Sequence, residues 1–180
     1  MTAFAIDVQD QGIKTALKAL SDRINNIEPA LLTIGEGMIE RTKRRFETST
    51  GPDGTPWKPN SAATIAMLTR RLSGQKSKVT KGGGLNKAGL ASLANKKPLI
   101  GESQDLRRQF VAIAASRTLT ITSTPKYAAI HQFGGKAGRG HKVTIPARPF
   151  LPIRPDGSLY PAEQATILDA LNQYLTDGLA

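Results

Sequence analysis

The chain has 180 residues, a formal net charge of +11 and no cysteine. That length predicts one domain, residues 1–180, because a chain of this size buries roughly two-thirds of its unfolded surface. The lack of cysteine excludes disulfides, thiolate metal sites and a cysteine nucleophile. No run approaches the roughly 20 apolar residues of a membrane span, and the acidic N-terminus does not resemble a secretory signal.

Apolar spacing predicts two helices at the start of the chain. From residue 11 onward, Ile13, Leu17, Leu20, Ile24 and Ile27 recur at spacings of three and four, which places one stripe on a helix. Pro29 ends that helix and suits the first turn of the next. The second helix carries its own apolar face, made of Leu31, Ile34, Met38 and Phe46. The two helices are expected to pack as a hairpin or to lie across a sheet.

A turn cluster, a short helix and a basic loop follow. Residues 48–60 contain the turn Pro52-Asp53-Gly54, after which Trp57 returns to the core as an anchor whose indole N–H needs a partner. Asn60 or Ser61 caps a helix that ends near Gly74. Residues 73–98 hold six lysines and no acid, so this stretch has little to bury. It is predicted to be a flexible basic loop with a weak helix at 90–94.

After residue 106 the spacing of apolar residues changes from that of helices to that of strands. Residues 110–114 and 118–123 predict a β-hairpin, in which Leu119 and Ile121 face one side and threonines the other. Residues 143–145 are a third strand, and residues 150–153 are a fourth that neighbouring prolines confine to an edge. A last helix opens at Pro161 and ends at Gly178. The predicted fold is α+β: N-terminal helices, a small antiparallel sheet of about four strands, and a C-terminal helix across it.

Two apolar motifs in the second half of the chain stand out. Residues 127–135 read YAAIHQFGG and residues 145–151 read IPARPFL, separated by a basic, glycine-rich span, residues 136–142, that is too flexible for a core. Phe133 precedes a glycine turn that needs positive φ or close backbone approach. Arg148 lies between two prolines, which would present its donors with little conformational freedom left to lose. Simpler structural roles remain open for both motifs. The aromatic residues could fill a small core, and Arg148 could be a solvated charge or an internal ion-pair partner.

These motifs resemble the signature of the phage virion morphogenesis family, the tail-completion proteins of contractile-tailed phages and related prophages. Phe46 with GPDGTPW at 51–57, and the block at 101–106, agree with it in order. The resemblance implies a tail-completion or tail-terminator fold and a hexameric ring that caps the head-proximal end of the tail. Its implied partners are further copies of the chain, tail tube and sheath proteins, and head–tail connector proteins.

The resemblance also implies where the protein is found and which residues form the family signature. The protein is expected in the tail or neck of the virion, and in the host cytoplasm during assembly. Arg148 and His131 are the predicted interface contacts. The residues assigned to the structural signature are Tyr127, His131, Phe133, Gly134, Pro146, Arg148, Phe150 and Leu151.

Charge favours a second hypothesis, a basic protein that binds nucleic acid without sequence preference. Residues 54–155 hold eighteen Lys or Arg against two acids, residues 1–53 hold seven against eight, and residues 156–180 hold none against four. Such a field attracts polyanions or acidic protein surfaces, although a solvated basic surface also aids solubility. No helix suits a DNA groove and no aromatics alternate with the basic residues, so binding would be non-specific and salt-dependent. The predicted polyanion contacts are Lys76, Lys78, Lys81, Lys87, Lys96, Lys97, Lys136, Arg139 and Lys142.

Catalysis has little support in the sequence. His131 and His141 are the only histidines, and residues 106–155 contain no carboxylate to complete a zinc site or a hydrolytic triad. We therefore expect neither an enzyme nor a cofactor.

Overall fold

A computed structural model describes residues 10–177. Its helices are α1 (Gln11–Asn25), α2 (Glu28–Thr48), α3 (Ala62–Ser73), α4 (Lys87–Ala94), α5 (Asp105–Arg108), α6 (Ala128–Phe133) and α7 (Pro161–Thr176). Its strands are β1 (Phe110–Ala115), β2 (Thr118–Ser123), β3 (Gly135–Ala137) and β4 (Val143–Ile145), and short 3-10 turns occur at Lys76–Lys78 and Arg139–His141. The predicted α+β class, with helices at both ends, is confirmed.

The first two helices form where the apolar spacing predicts them. The Asp10 carboxylate caps α1 by accepting from the Ile13 N–H at 3.1 Å, and Pro29 lies in the first turn of α2. The two helices differ in burial, because α1 has no fully buried residue. The buried face of α2 consists of Ala30, Ile34, Gly35, Met38, Thr42 and Phe46.

Helix α2 lies across the β1–β2 hairpin, and a glycine sets the distance between them. A Cβ added to Gly35 would lie 2.8 Å from Leu119 Cδ1 and 3.0 Å from Ala112 Cβ. Real Cβ atoms do not approach neighbours that closely, so the small residue lets helix and sheet pack in direct contact. The predicted hairpin is confirmed, with Ala112 opposite Ile121 and Ala114 opposite Leu119.

The strands form two separate pairs rather than one sheet. In the described residues β1 pairs only with β2, and β3 pairs only with β4, with Gly135 opposite Ile145. The strand at 143–145 is confirmed, whereas the strand predicted at 150–153 is wrong. Side chains rather than a neighbouring strand bind the backbone of Phe150 and Leu151. Strand β3 extends into the span 136–142, which was predicted to be flexible.

The C-terminal helix packs on helices instead of crossing the sheet. Helix α7 lies mainly against α2 and α1, so the predicted position is wrong. Glu163, in its first turn, is buried and accepts hydrogen bonds from Arg41 and Arg45. Arg45 also donates to the Phe150 carbonyl at 2.9 Å. A buried carboxylate needs such partners, and here they join α7, α2 and the segment after β4.

The aromatic core lies beneath that segment. The Phe46 ring centroid is 5.3 Å from that of Trp57 and 5.4 Å from that of Phe150. The indole N–H of Trp57 donates to the Pro149 carbonyl at 2.9 Å, which confirms that Trp57 is an anchor with a bonded N–H. Leu106 and Ala128 complete the buried cluster.

The basic segment at 73–98 contains local structure. A bridge joins Val79 to Leu85, and the helix predicted at 90–94 is present but begins at Lys87. Lys78 Nζ donates to Ser92 Oγ at 2.9 Å, and Gly89 is buried against the backbone of the 3-10 turn. The segment therefore has its own contacts and packs on α3. Its mobility stays a prediction, which limited trypsin digestion would test.

Candidate functional site

The two motifs meet through one buried amide. We call residues 127–135 the aromatic turn and residues 145–151 the proline segment. Gln132 Nε2 donates to the carbonyls of Leu151 and Ile153, both at 3.0 Å. Its Oε1 accepts from the N–H groups of Phe150 and Leu151, both at 2.9 Å. The side chain thus uses both donors and both acceptor positions, and it replaces the neighbouring strand that this backbone would otherwise need.

Arg148 points into the protein. It is 7% exposed, and its Nε and Nη2 donate to the carbonyls of Lys58 and Pro59, both at 2.7 Å. Its main-chain N–H donates to the His131 carbonyl at 2.8 Å. The solvated-charge alternative for Arg148 is therefore wrong. The guanidinium is internal, but its partners are carbonyls rather than an acid, and this carbonyl pair sets the direction of the side chain. Its assignment as an interface contact stays a prediction.

The backbone at Gly134 confirms the predicted need for a positive φ or a close backbone approach in the glycine turn. Its φ is +75°, and an added Cβ would lie 2.8 Å from the Ala147 nitrogen and 3.1 Å from the Ile145 carbonyl oxygen. Both the positive φ and the close approach exclude a side chain. The aromatic turn can therefore run directly beside the proline segment.

His131 lies between the buried and exposed parts of the aromatic turn. Its ring is half-buried and meets the Tyr127 ring edge-on at 5.9 Å. Its Nδ1 is buried and has no hydrogen-bond partner among the described residues. Burial, together with the nearby Arg148 charge, holds the pKa of His131 below its ordinary value. The ring is accordingly neutral at neutral pH.

The apolar residues of the two motifs differ in whether they fill the core. Phe150 is fully buried and Leu151 packs against the same core, whereas Tyr127 and Phe133 are 45% and 46% exposed. Tyr127 lies on a groove of about 690 Å³ that runs between the start of α3 and β4. The groove is largely apolar, and its lining includes Met67, Leu99, Tyr127, His131, Val143 and Pro146.

The predicted cationic contacts fall into two groups. Lys78, Lys96 and Lys97 donate to other groups of the chain: the Ser92 hydroxyl and the carbonyls of Ile100 and Glu47. The remaining cations are exposed to solvent: Lys76, Lys81, Lys87, Lys136, Arg139 and Lys142. Within residues 10–177 no group of three or more His, Asp or Glu side chains comes together, and no helix is long and apolar enough to cross a membrane.

Comparison with known proteins identifies the family. The model of the phage virion morphogenesis family matches residues 8–176. The chain belongs to this family. The protein "Mu-like prophage FluMu G protein 2" of Haemophilus influenzae is 42% identical over 77 residues, which cover 43% of this chain and 51% of that protein. The chain thus spans about half the length of this relative. No solved structure matches the chain.

Membership of the virion morphogenesis family indicates a structural role in building a phage particle rather than a catalytic one. Two residues that support the motif were not predicted from the sequence. Gln132 lies inside the aromatic turn, where a polar residue among apolar neighbours was the available signal. Glu163 lies two residues after Pro161, where the last helix was predicted to begin, but nothing local indicated that Arg41 and Arg45 would meet it.

Proposed function

We propose that this virion morphogenesis protein is a tail-completion protein. In this proposal it caps the head-proximal end of the tail as a hexameric ring and prepares the tail for joining to the head. The supporting observation is the rigid attachment of the aromatic turn to the proline segment through Gln132. That attachment holds Tyr127 and Phe133 at the surface, and Tyr127 at the rim of an apolar groove. Aromatic side chains held in place lose little entropy on binding, which suits a contact that is repeated in an assembly.

The proposed partners follow from this surface and from charge. Tail tube and sheath proteins would bind at the exposed aromatics, and connector proteins would complete the head–tail joint. The exposed cations, such as Lys81, Lys136 and Arg139, would face acidic partner surfaces or passing DNA. The protein would act in the neck of the virion, after assembling in the host cytoplasm.

Complementation of a phage that lacks this gene tests the proposal. The null phage should accumulate tails that do not join heads, as seen by electron microscopy, and the wild-type chain should restore complete particles. A chain with Tyr127→Ser and Phe133→Ser should fold but fail to restore them, because both side chains are exposed. Leu90→Ser is the matched control, since Leu90 is an exposed apolar residue on α4 that does not line the groove. Complete particles in the null phage, or full rescue by the doubly substituted chain, would contradict the proposal.

The exposed cations support non-specific DNA binding as a second candidate function. Affinity for duplex DNA should then fall steeply as salt rises, because each phosphate contact releases counterions. Substituting Lys136, Arg139 and Lys142 with Gln should reduce the salt slope, whereas a random and a defined sequence should bind equally. A protein that fails to bind duplex DNA at low salt would remove this candidate without affecting the first.

A further inference from the structure

The β1–β2 hairpin has one covered face and one open face. Helix α2 covers the face that carries Ala112 and Leu119. On the opposite face Val111 and Ile113 are 44% and 55% exposed, and they lie across from Thr122 and Thr120. The open face is therefore made mainly of β-branched side chains, which pack well on a second pleated surface.

Both edges of this hairpin are also open. Within residues 10–177 no third strand pairs with β1 or β2. Exposed edges normally carry proline, charge or a bulge that prevents pairing with another chain, yet neither strand contains a proline or a charged residue. A two-stranded sheet of this kind is a template for a further strand.

Charge indicates which chain would pair there. Two copies that each carry +11 repel one another, so self-association is favoured at a surface with few positive charges. Between residues 109 and 124 the only ionisable side chain is Arg117, whose guanidinium donates to Asn25 Oδ1 at 2.9 Å. The two strands are thus uncharged, and the hairpin carries a single charge at its turn, in the most basic part of the chain. A polyanion would bind elsewhere, whereas a second copy meets little repulsion here.

We propose that the β1–β2 hairpin is the docking surface for a second copy of this chain, with β2 of one copy paired to β1 of the next. Hairpins placed side by side by rotation keep the alternation of strand direction, so every new pair is antiparallel. Such a contact uses different edges on the two copies, and contacts of that type form a ring when the rotation between neighbouring copies closes. The inference rests on the proposed ring and identifies its subunit contact.

Ile113→Lys tests the surface, because this side chain faces solvent and its replacement leaves the α2 face intact. Light scattering after size exclusion should show that the wild-type mass rises with concentration. The Ile113→Lys chain should require at least about tenfold higher concentration for the same mass. Leu168→Lys is the matched control: Leu168 is 52% exposed on α7, and the substitution adds the same charge. Circular dichroism should show all three chains equally folded.

Disulfide trapping tests the strand pairing, since the natural chain has no cysteine. A mixture of Ile113→Cys and Thr120→Cys chains should form disulfide-linked dimers under mild oxidation faster than either chain alone or Leu168→Cys. Faster linking of one chain with itself would overturn the β2-to-β1 pairing. Wild-type-like association of Ile113→Lys would overturn the hairpin contact alone. A wild-type chain that stays monomeric throughout would overturn both this contact and the proposed ring.

Discussion

The proline segment and the β1–β2 hairpin are held in the protein by opposite means. Side-chain hydrogen bonds hold the backbone of residues 149–153, and Gln132 alone makes four of them. The hairpin instead rests on α2 through apolar contacts and leaves its outer face and both edges open. The most recognisable motif of the chain therefore largely secures the fold. The surface that we propose for self-association carries only a plain strand alternation.

Removal of the Gln132 amide should give the largest effect. Gln132→Leu leaves two N–H groups and two carbonyls without their partner, and each such buried group costs about 1–3 kcal/mol. We expect the free energy of unfolding to fall by at least about 3 kcal/mol in urea denaturation. Gln164→Leu, at an exposed position of α7, should change it by less than about 0.5 kcal/mol. Equal effects at the two positions would mean that the proline segment is not held through Gln132.

Arg148→Lys should have the next largest effect. Lysine keeps the charge but cannot direct two planar donors at the carbonyls of Lys58 and Pro59. We expect a loss of about 2 kcal/mol in the same measurement. Arg108→Lys, at an exposed position, is the matched control. If Arg148→Lys leaves unfolding unchanged but weakens self-association, Arg148 is an interface residue rather than an internal one.

Local patterns predicted the parts of the fold that depend on neighbours in sequence. The spacing of Ile34 and Met38 placed α2, and the alternation of Leu119 and Ile121 placed β2, because each pattern repeats with the period of its element. The turn glycine at 134 and the anchor Trp57 were likewise evident from residue chemistry.

Contacts between distant residues could not be predicted in this way. Glu163 meets Arg45 across 118 positions, and that ion pair holds α7 against α2 rather than across the sheet. Residues 150–153 have the apolar composition of a strand, but a glutamine side chain takes the place of the strand partner. The prolines beside Arg148 restrict its backbone without fixing the direction of its side chain. In each case the missing information was a partner whose position only the tertiary structure supplies.

The hairpin turn offers a smaller, stabilising change. Ser116 and Arg117 have φ values of +51° and +62°, the conformation of a two-residue turn that favours Asn-Gly. The combined change Ser116→Asn and Arg117→Gly should raise the free energy of unfolding by about 1 kcal/mol, because it relieves two left-handed positions. Arg117→Lys keeps the strain and should give no gain. A loss of stability in the Asn-Gly chain would mean that the Arg117–Asn25 contact, and not the turn, positions the hairpin.

The smallest expected effect is a dependence on pH at His131. Burial and the Arg148 charge lower its folded pKa below the ordinary value of 6.5, so the unfolded chain binds the proton first. The stabilisation is therefore complete above pH 6.5 and is lost as pH falls from there through the folded pKa. His131→Phe keeps a ring against Tyr127 but cannot titrate, so urea denaturation at several pH values should show a flatter profile as pH falls below 6.5. His141→Asn, at an exposed residue, should retain the wild-type slope. An unchanged slope in His131→Phe would mean that water reaches this ring, and that the aromatic turn is held less firmly than the proline segment beside it.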